Sequence, residues 1–227
     1  MIDPLKVLIC IPAYDGKVEL GLAGGLAACA SAHLFGNMVF AAGVSHVGLV
    51  RNLLTHQFLQ GDMEWLVFID SDIEFTATDF RILMDYPRES RGPVQNGDYF
   101  VPEGTTLNAD GHALVVTAEY SKKQDDLEPA QFGLGFTRIH RSVFERLQNL
   151  KDGDGAALVS QFVNKGVLSD DYFISGAIEA GHWRGEDTGF FLLCKMAGIR
   201  PRIETRTQLR HIGRKAYPYV GSNLMPQ

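Results

Sequence analysis

Trp65-Leu66-Val67-Phe68-Ile69-Asp70-Ser71-Asp72-Ile73-Glu74-Phe75 runs five apolar residues straight into two carboxylates one residue apart. A run this short, with β-branched and aromatic members, predicts a strand buried on both faces, as inside a parallel sheet. Such sheets bind ligands beyond the carboxyl ends of their strands. Asp70 and Asp72 lie at i and i+2, so they either point the same way from an extended chain or splay around a tight turn to share one hard cation. Two carboxylates at a strand end call for a counter-charge. A divalent metal carrying a diphosphate supplies it, neutralising carboxylates and phosphates together. The plainer explanation is a helix cap, with Ser71 or Asp72 holding the next turn.

Upstream, Lys6 to Ile11 predicts a first buried strand, closed by Pro12 and the turn-prone Tyr14-Asp15-Gly16. Lys17 to about Leu34 predicts a helix rich in small residues; Gly21 comes too late after the strand for a dinucleotide loop. Met38 to Ala42 predicts a second strand, and Val47 to about Gln60 a second helix with Ser45 as its N-cap. Arg51 and Asn52 then fall in its first turns, near the sheet's carboxyl edge. Arg51 is there either a solvated residue or a contact to a nucleotide or to an acid on a neighbouring loop. His46 and His56 have no partner at metal-ligand spacing and read as ordinary polar residues.

Beyond the carboxylate pair, Thr76-Ala77-Thr78-Asp79 caps a helix to about Asp85, and the alternation so far predicts parallel strands with right-handed crossovers. The alternation then breaks. Residues 86 to 110 are rich in Pro, Gly, Arg and Asn, with only Tyr99-Phe100-Val101 hinting at a strand, and read as a long functional loop or lid. Ala113 to Ala118 and Phe132 to Ile139 predict further strands, the second with glycines that mark a bulge or a close approach by a ligand. His140 to Leu150 predicts a short helix, and Glu186 to Ala197 a late one with Gly198 as C-cap. Arg202 to Glu204 and Thr207 to Leu209 read as extended pieces, while Val167 to Ala180 fits no element cleanly.

With 227 residues, one sizeable core is expected, hence a single domain. A net charge of -6 and a pI near 5.6 argue against broad attraction to nucleic acid or anionic membrane. A basic cluster from Arg200 to Lys215 still allows a local anion-binding cleft. Cys10, Cys29 and Cys194 sit in apolar stretches without metal-type spacing and read as reduced core thiols, which favours a cytoplasmic location. No stretch reads as a secretory signal or a membrane span.

In this order the chain resembles the GT-A glycosyltransferases, which move a sugar from a nucleotide diphosphate to an acceptor. Val7 to Tyr14 is similar to the family's opening strand and nucleotide loop, and Phe68-Ile69-Asp70-Ser71-Asp72 to its Asp-x-Asp (DXD) motif. Gly133-Leu134-Gly135-Phe136 with Ile139 and Arg141 resembles the glycine-bearing acceptor-side strand. Trp183 to Phe190 resembles the acidic motif opening the late helix, and Leu209-Arg210-His211-Ile212-Gly213 the closing histidine segment. The likeness runs from about residue 6 to 220; each motif is weak alone, and their order makes them specific.

The resemblance implies a mixed, mainly parallel α/β sheet flanked by helices, with a nucleotide-binding part to about residue 85 and an acceptor-side part beyond it. It also implies a metal-dependent transfer from a nucleotide diphosphate sugar, a UDP-sugar first among them. Pro12, Ala13, Tyr14 and Asp15 would meet the base, and Arg51, Asp70, Ser71 and Asp72 the rest of the donor. Asp70, Asp72 and His211 would hold Mn2+, or Mg2+. Arg214 or Lys215 would steady the departing diphosphate, and Asp187, with Glu186 beside it, would take the acceptor's proton, which implies inversion. The acceptor stays open among glycan, small molecule, protein and modified nucleobase. Two other readings compete. A haloacid dehalogenase-like phosphatase or phosphotransferase wants its aspartates on the first strand and Thr or Val where Glu74 stands; a non-catalytic sugar-nucleotide binding module would not need Glu186 and Asp187.

Overall fold

The computed structural model describes residues 2–85, 113–117, 133–179, 182–204 and 206–212. Strand β1 (Val7–Pro12) leads through α1 (Leu20–Ser31) to β2 (Asn37–Ala41), and α2 (Val47–Gln60) returns the chain to β3 (Trp65–Ile69). β1 pairs in parallel with both β2 and β3, so the chain steps off β1 to one side and then to the other. That reversal opens a crevice at the carboxyl ends of β1 and β3, where open α/β sheets take their ligands.

After β3 come the two-residue strand β4 (Ile73–Glu74), α3 (Ala77–Leu83), β5 (Leu114–Thr117), β6 (Phe136–His140) and α4 (Arg141–Gln148). Two hairpins follow, β7 (Gln161–Asn164) with β8 (Val167–Asp170) and β9 (Gly176–Glu179) with β10 (His182–Arg184). Helix α5 (Glu186–Met196), β11 (Arg202–Glu204) and β12 (Arg210–His211) complete the described chain. The main sheet has the order β11-β5-β6-β3-β1-β2. β6 is antiparallel to both neighbours and the remaining pairs are parallel, the mixed, mainly parallel sheet expected.

Alternation along the strands splits the core in two. Leu8, Cys10, Leu66 and Phe68 face Val50, Leu54 and Phe58 of α2, Phe144 of α4 and Phe190 of α5. Val7, Ile9, Ile11, Val67 and Ile69 face Leu22 and Leu26 of α1 and Phe80 of α3. Helices therefore cover both faces, and Leu66 to Ile69 are buried throughout, as the sequence predicts. Each such side chain contributes roughly 1.5–3 kcal/mol on leaving water. The three cysteines are buried and unpaired, and burial pushes the Cys29 thiol up to about 12. Among the described residues no helix is long and apolar enough to cross a membrane.

Several boundaries differ from the sequence reading. The N-cap of α2 is His46, not Ser45: its Nδ1 accepts from Leu49 N at 3.1 Å, a role that an imidazole fills as a hydroxyl would. α1 starts late, at Leu20, because Glu19 N donates to Ser71 O at 2.9 Å and ties the preceding loop to the carboxylate turn. Gly133 and Gly135 stand in the approach to β6 rather than inside it, and Gly135 O accepts from Asp70 N at 2.8 Å. Arg141 points away from the acceptor side. Its guanidinium donates to the carbonyls of Phe58, Leu59, Gly61 and Met63 at 2.7–3.0 Å, closing the C-terminus of α2. The expected lid and Tyr99 to Val101 lie outside the described residues.

Candidate functional site

The Asp-Ser-Asp segment forms a tight turn, with Ile73 N donating to Asp70 O at 3.1 Å. The turn splays the two carboxylates, one of the two geometries open from the sequence. Asp70 turns inward, where Arg51 Nη2 donates to its Oδ1 at 3.0 Å and its Oδ2 at 3.3 Å. Asp72 turns to the chain's late segment, where His211 Nε2 stands 3.0 Å from its Oδ2.

Arg51 is the centre of the inner half. It is 2% exposed, lies over the Phe68 ring at 5.1 Å, and has its Nε 3.9 Å from Glu186 Oε1. Burial opposes its charge, but the carboxylates of Asp70, Asp187 and Glu186 outweigh it and hold the guanidinium's pKa above its usual value. Its Nε and Nη1 have no hydrogen-bond partner among the described residues. Asp187, in the first turn of α5, is the strained member of the group. Burial pushes its carboxyl up to about 7, Arg51 pulls the other way, and the charges of Glu186 and Asp70 add to the rise. Its Oδ1 is buried without a hydrogen bond among the described residues.

The acids reach Arg51 because α2 and α5 are held close by the segment after β8. Asn52, next to Arg51, donates to Asp171 Oδ1 at 2.7 Å, and its own Oδ1 accepts from Tyr172 N and Phe173 N at 2.9 and 3.2 Å. Phe173 stacks on Phe190 with ring centroids 4.9 Å apart. Two glycines admit this segment: a Cβ on Gly48 would stand 2.7 Å from Phe173 O, and one on Gly189 would run into Ile174 O. Nearby, His46 Nε2 lies 3.2 Å from Ser175 Oγ.

The outer half depends on Asp79. This buried residue completes a capping box with Thr76, and its Oδ1 also accepts from Gln208 N at 2.7 Å. Fastened there, the chain runs on as β12 and pairs antiparallel with β4, placing His211 opposite Ile73 and beside Asp72. Ile212 N donates to Asp72 O at 2.9 Å, and Arg210 Nη1 meets Glu74 Oε2 at 3.1 Å.

The β1 loop flanks this turn. Ala13 N donates to Ala41 O at 2.8 Å, and Gly43 N to Tyr14 O at 2.9 Å, joining the loops after β1 and β2. Tyr14 is 64% exposed, with its ring open to a planar ligand. Asp15 Oδ1 accepts from Lys17 N at 3.1 Å. Pro12 ends β1, and Ser71 contributes its carbonyl rather than a cap. Arg214 and Lys215 lie outside the described residues.

The structure thus brings Arg51, Asp70, Glu186 and Asp187 together, and separately Asp72 with His211. Among the described residues, no three of His, Cys, Asp and Glu converge as a metal cluster. Asp72 with His211 still fits a cation that takes its other ligands from phosphate and water: a carboxylate oxygen and an imidazole nitrogen suit Mn2+ better than Mg2+. Asp79, Asp171 and Gly48 carried no functional signal in the sequence, and Gly189 only as part of the acidic motif, since each acts on a partner remote along the chain.

In fold the chain is similar to A197 from STIV, with a TM-score of 0.50 and 19% identity over 92% of this chain and 86% of that one. A glycosyltransferase involved in the glycosylation of the major capsid of PBCV-1 overlaps at a TM-score of 0.38 and 11% identity, over 61% of this chain and 62% of that one. The second score is too low for a common fold to follow from it. No protein-family model and no curated protein matches the chain.

Proposed function

We propose that the protein is a metal-dependent glycosyltransferase that moves a sugar from a nucleotide diphosphate sugar, a UDP-sugar first among them, to an acceptor hydroxyl. The observation that carries this reading is the convergence, beyond the ends of β1 and β3, of two complementary half-sites from distant segments. One is the Asp72–His211 pair, and the other is the acid cluster on Arg51.

Tyr14 stacks on the base, with Pro12, Ala13 and Asp15 shaping its loop. Asp72 and His211 would hold Mn2+ or Mg2+, and Asp70, held by Arg51, would reach the cation through water. A bound divalent cation would neutralise the diphosphate as it leaves. Arg214 or Lys215 would add a positive charge on the same group. On the other side, Asp187 takes the proton of the acceptor hydroxyl while that oxygen bonds to the anomeric carbon and the bond to the diphosphate breaks. A carboxyl group titrating at about 7 is matched to that task, because it is both available and basic near neutral pH. Glu186 orients it, and Arg51 restrains Asp70 and both acids. Attack opposite the leaving group inverts the anomeric carbon.

Calorimetric titration with UDP and with GDP, each with Mn2+ and with EDTA, tests this directly. The expected result is binding of one nucleotide that disappears with EDTA. Failure of both to bind in Mn2+ would overturn the reading.

A further inference from the structure

Toward the C-terminal end of α2, the β7–β8 hairpin and the end of α4 enclose a cavity of about 190 Å3, and another of about 410 Å3 adjoins it. Gln148, Gln161 and Asp170 line both. Asp170 organises the wall. Its Oδ2 accepts from Gln148 Nε2 at 2.8 Å and from the Tyr172 hydroxyl at 3.0 Å, and its Oδ1 accepts from Gln161 Nε2 at 2.9 Å. Burial opposes its ionisation, but these donors and nearby His56 outweigh it, so the carboxyl titrates below its usual range.

The chemistry of the wall follows from that arrangement. A carboxylate accepts only, so each glutamine must turn its amide nitrogen to Asp170, which fixes its orientation. Gln161 then keeps a second N–H and its oxygen for a ligand, and Gln148, whose amide also meets the Tyr172 hydroxyl, keeps its oxygen. Protein donors take three of the roughly four acceptor sites of Asp170, which leaves little of the carboxylate for a metal. No Lys or Arg lines either cavity among the described residues, so nothing there balances an anion. Gln60 and His56 add polar groups, while Leu59 and the 52%-exposed Leu168 supply apolar surface. Oriented neutral donors and acceptors beside small apolar patches match a polyhydroxylated ring, whose hydroxyls and C–H faces alternate. Two short adjoining cavities match the bulk of one or two rings.

We infer that this pocket binds a saccharide residue and anchors a glycan acceptor apart from the transfer site. The choice of a glycan rests on the transferase reading. The pocket is also joined to that site, because Asp171, next to Asp170, is held by Asn52 beside Arg51.

The test follows the side-chain amide signals of Gln148 and Gln161 in protein carrying 15N-labelled glutamine. The methyl pyranosides of glucose, galactose, mannose and N-acetylglucosamine are added in turn, and UDP with Mn2+ is titrated separately. At least one sugar should shift both signals saturably. Gln148→Ala and Gln161→Ala, both at exposed positions, should each weaken that sugar about fivefold or more, and leave the UDP affinity and the backbone amide spectrum unchanged. If no sugar shifts these signals, or neither substitution weakens binding, the subsite is overturned whatever UDP does. If sugars bind as expected but neither UDP nor GDP does, the transferase reading and the acceptor role fall, and a saccharide pocket remains.

Discussion

Asp187 sets what single substitutions should do. Its folded carboxyl titrates at about 7 against an ordinary value of 3.8, so between those values the folded chain binds the proton that the unfolded chain has lost. Stability from this group therefore falls as pH rises from about 4 to 7 and is flat above. Asp187→Asn removes the penalty. Thermal melts should show the variant more stable than the parent above pH 7, on the order of 4 kcal/mol, with the gain vanishing toward pH 4. The same variant should keep nucleotide affinity and lose turnover; full turnover would remove Asp187 as the base. In the parent, kcat/KM should fall as pH drops below about 7. Arg51→Met leaves Asp70, Glu186 and Asp187 facing one another without a cation, at about 3–5 kcal/mol in urea unfolding. Because Arg51 lowers the pKa of Asp187, the acid limb of any residual activity should also move to higher pH. Asp72→Ala and His211→Ala should each abolish the EDTA-sensitive part of nucleotide binding, and circular dichroism should show the fold intact.

Between elements, the decisive contact is the wedge of residues 171 to 174 between α2 and α5. Asn52→Ala breaks bonds to Asp171, Tyr172 and Phe173 and leaves buried amide groups unpaired, about 2–3 kcal/mol by denaturant midpoint. Gly48→Ala should weaken turnover more than stability, since the added methyl presses on Glu186 beside Asp187 as well as on the Phe173 carbonyl. A ratio of kcat loss to stability loss no larger than in a core variant such as Leu54→Ala would contradict this. The elements themselves were largely legible. A continuous apolar run marks β3 wherever it lies, and Thr76 with Asp79 makes a local capping box. β6 was foreseen as a strand but not its direction, because pairing with β3 and β5 is settled by contacts far apart in sequence. The cap of α2 was not legible because histidine rarely announces that role, and the β7–β8 hairpin has short, largely exposed strands with little apolar rhythm.

At the scale of the whole molecule, the site was legible as far as its chemistry is carried by residue type. Acidic pairs, a late histidine and an arginine in a first helical turn can be found by eye. Their pairing cannot: nothing in the order of residues says that Asp70 takes Arg51 while Asp72 takes His211. That choice comes from the turn after β3 and from the addition of β12 to β4. The same addition has a consequence for synthesis. Chains emerge from the ribosome N-terminus first, and domains can begin to fold as they emerge. β1 to β4 and α3 are out long before residue 211, so Asp72 meets its histidine only when the closing strand arrives. A nascent chain stalled anywhere before that point would carry the aspartates but not the finished clasp, and on the proposed reading would lack one of the two side chains that hold the cation.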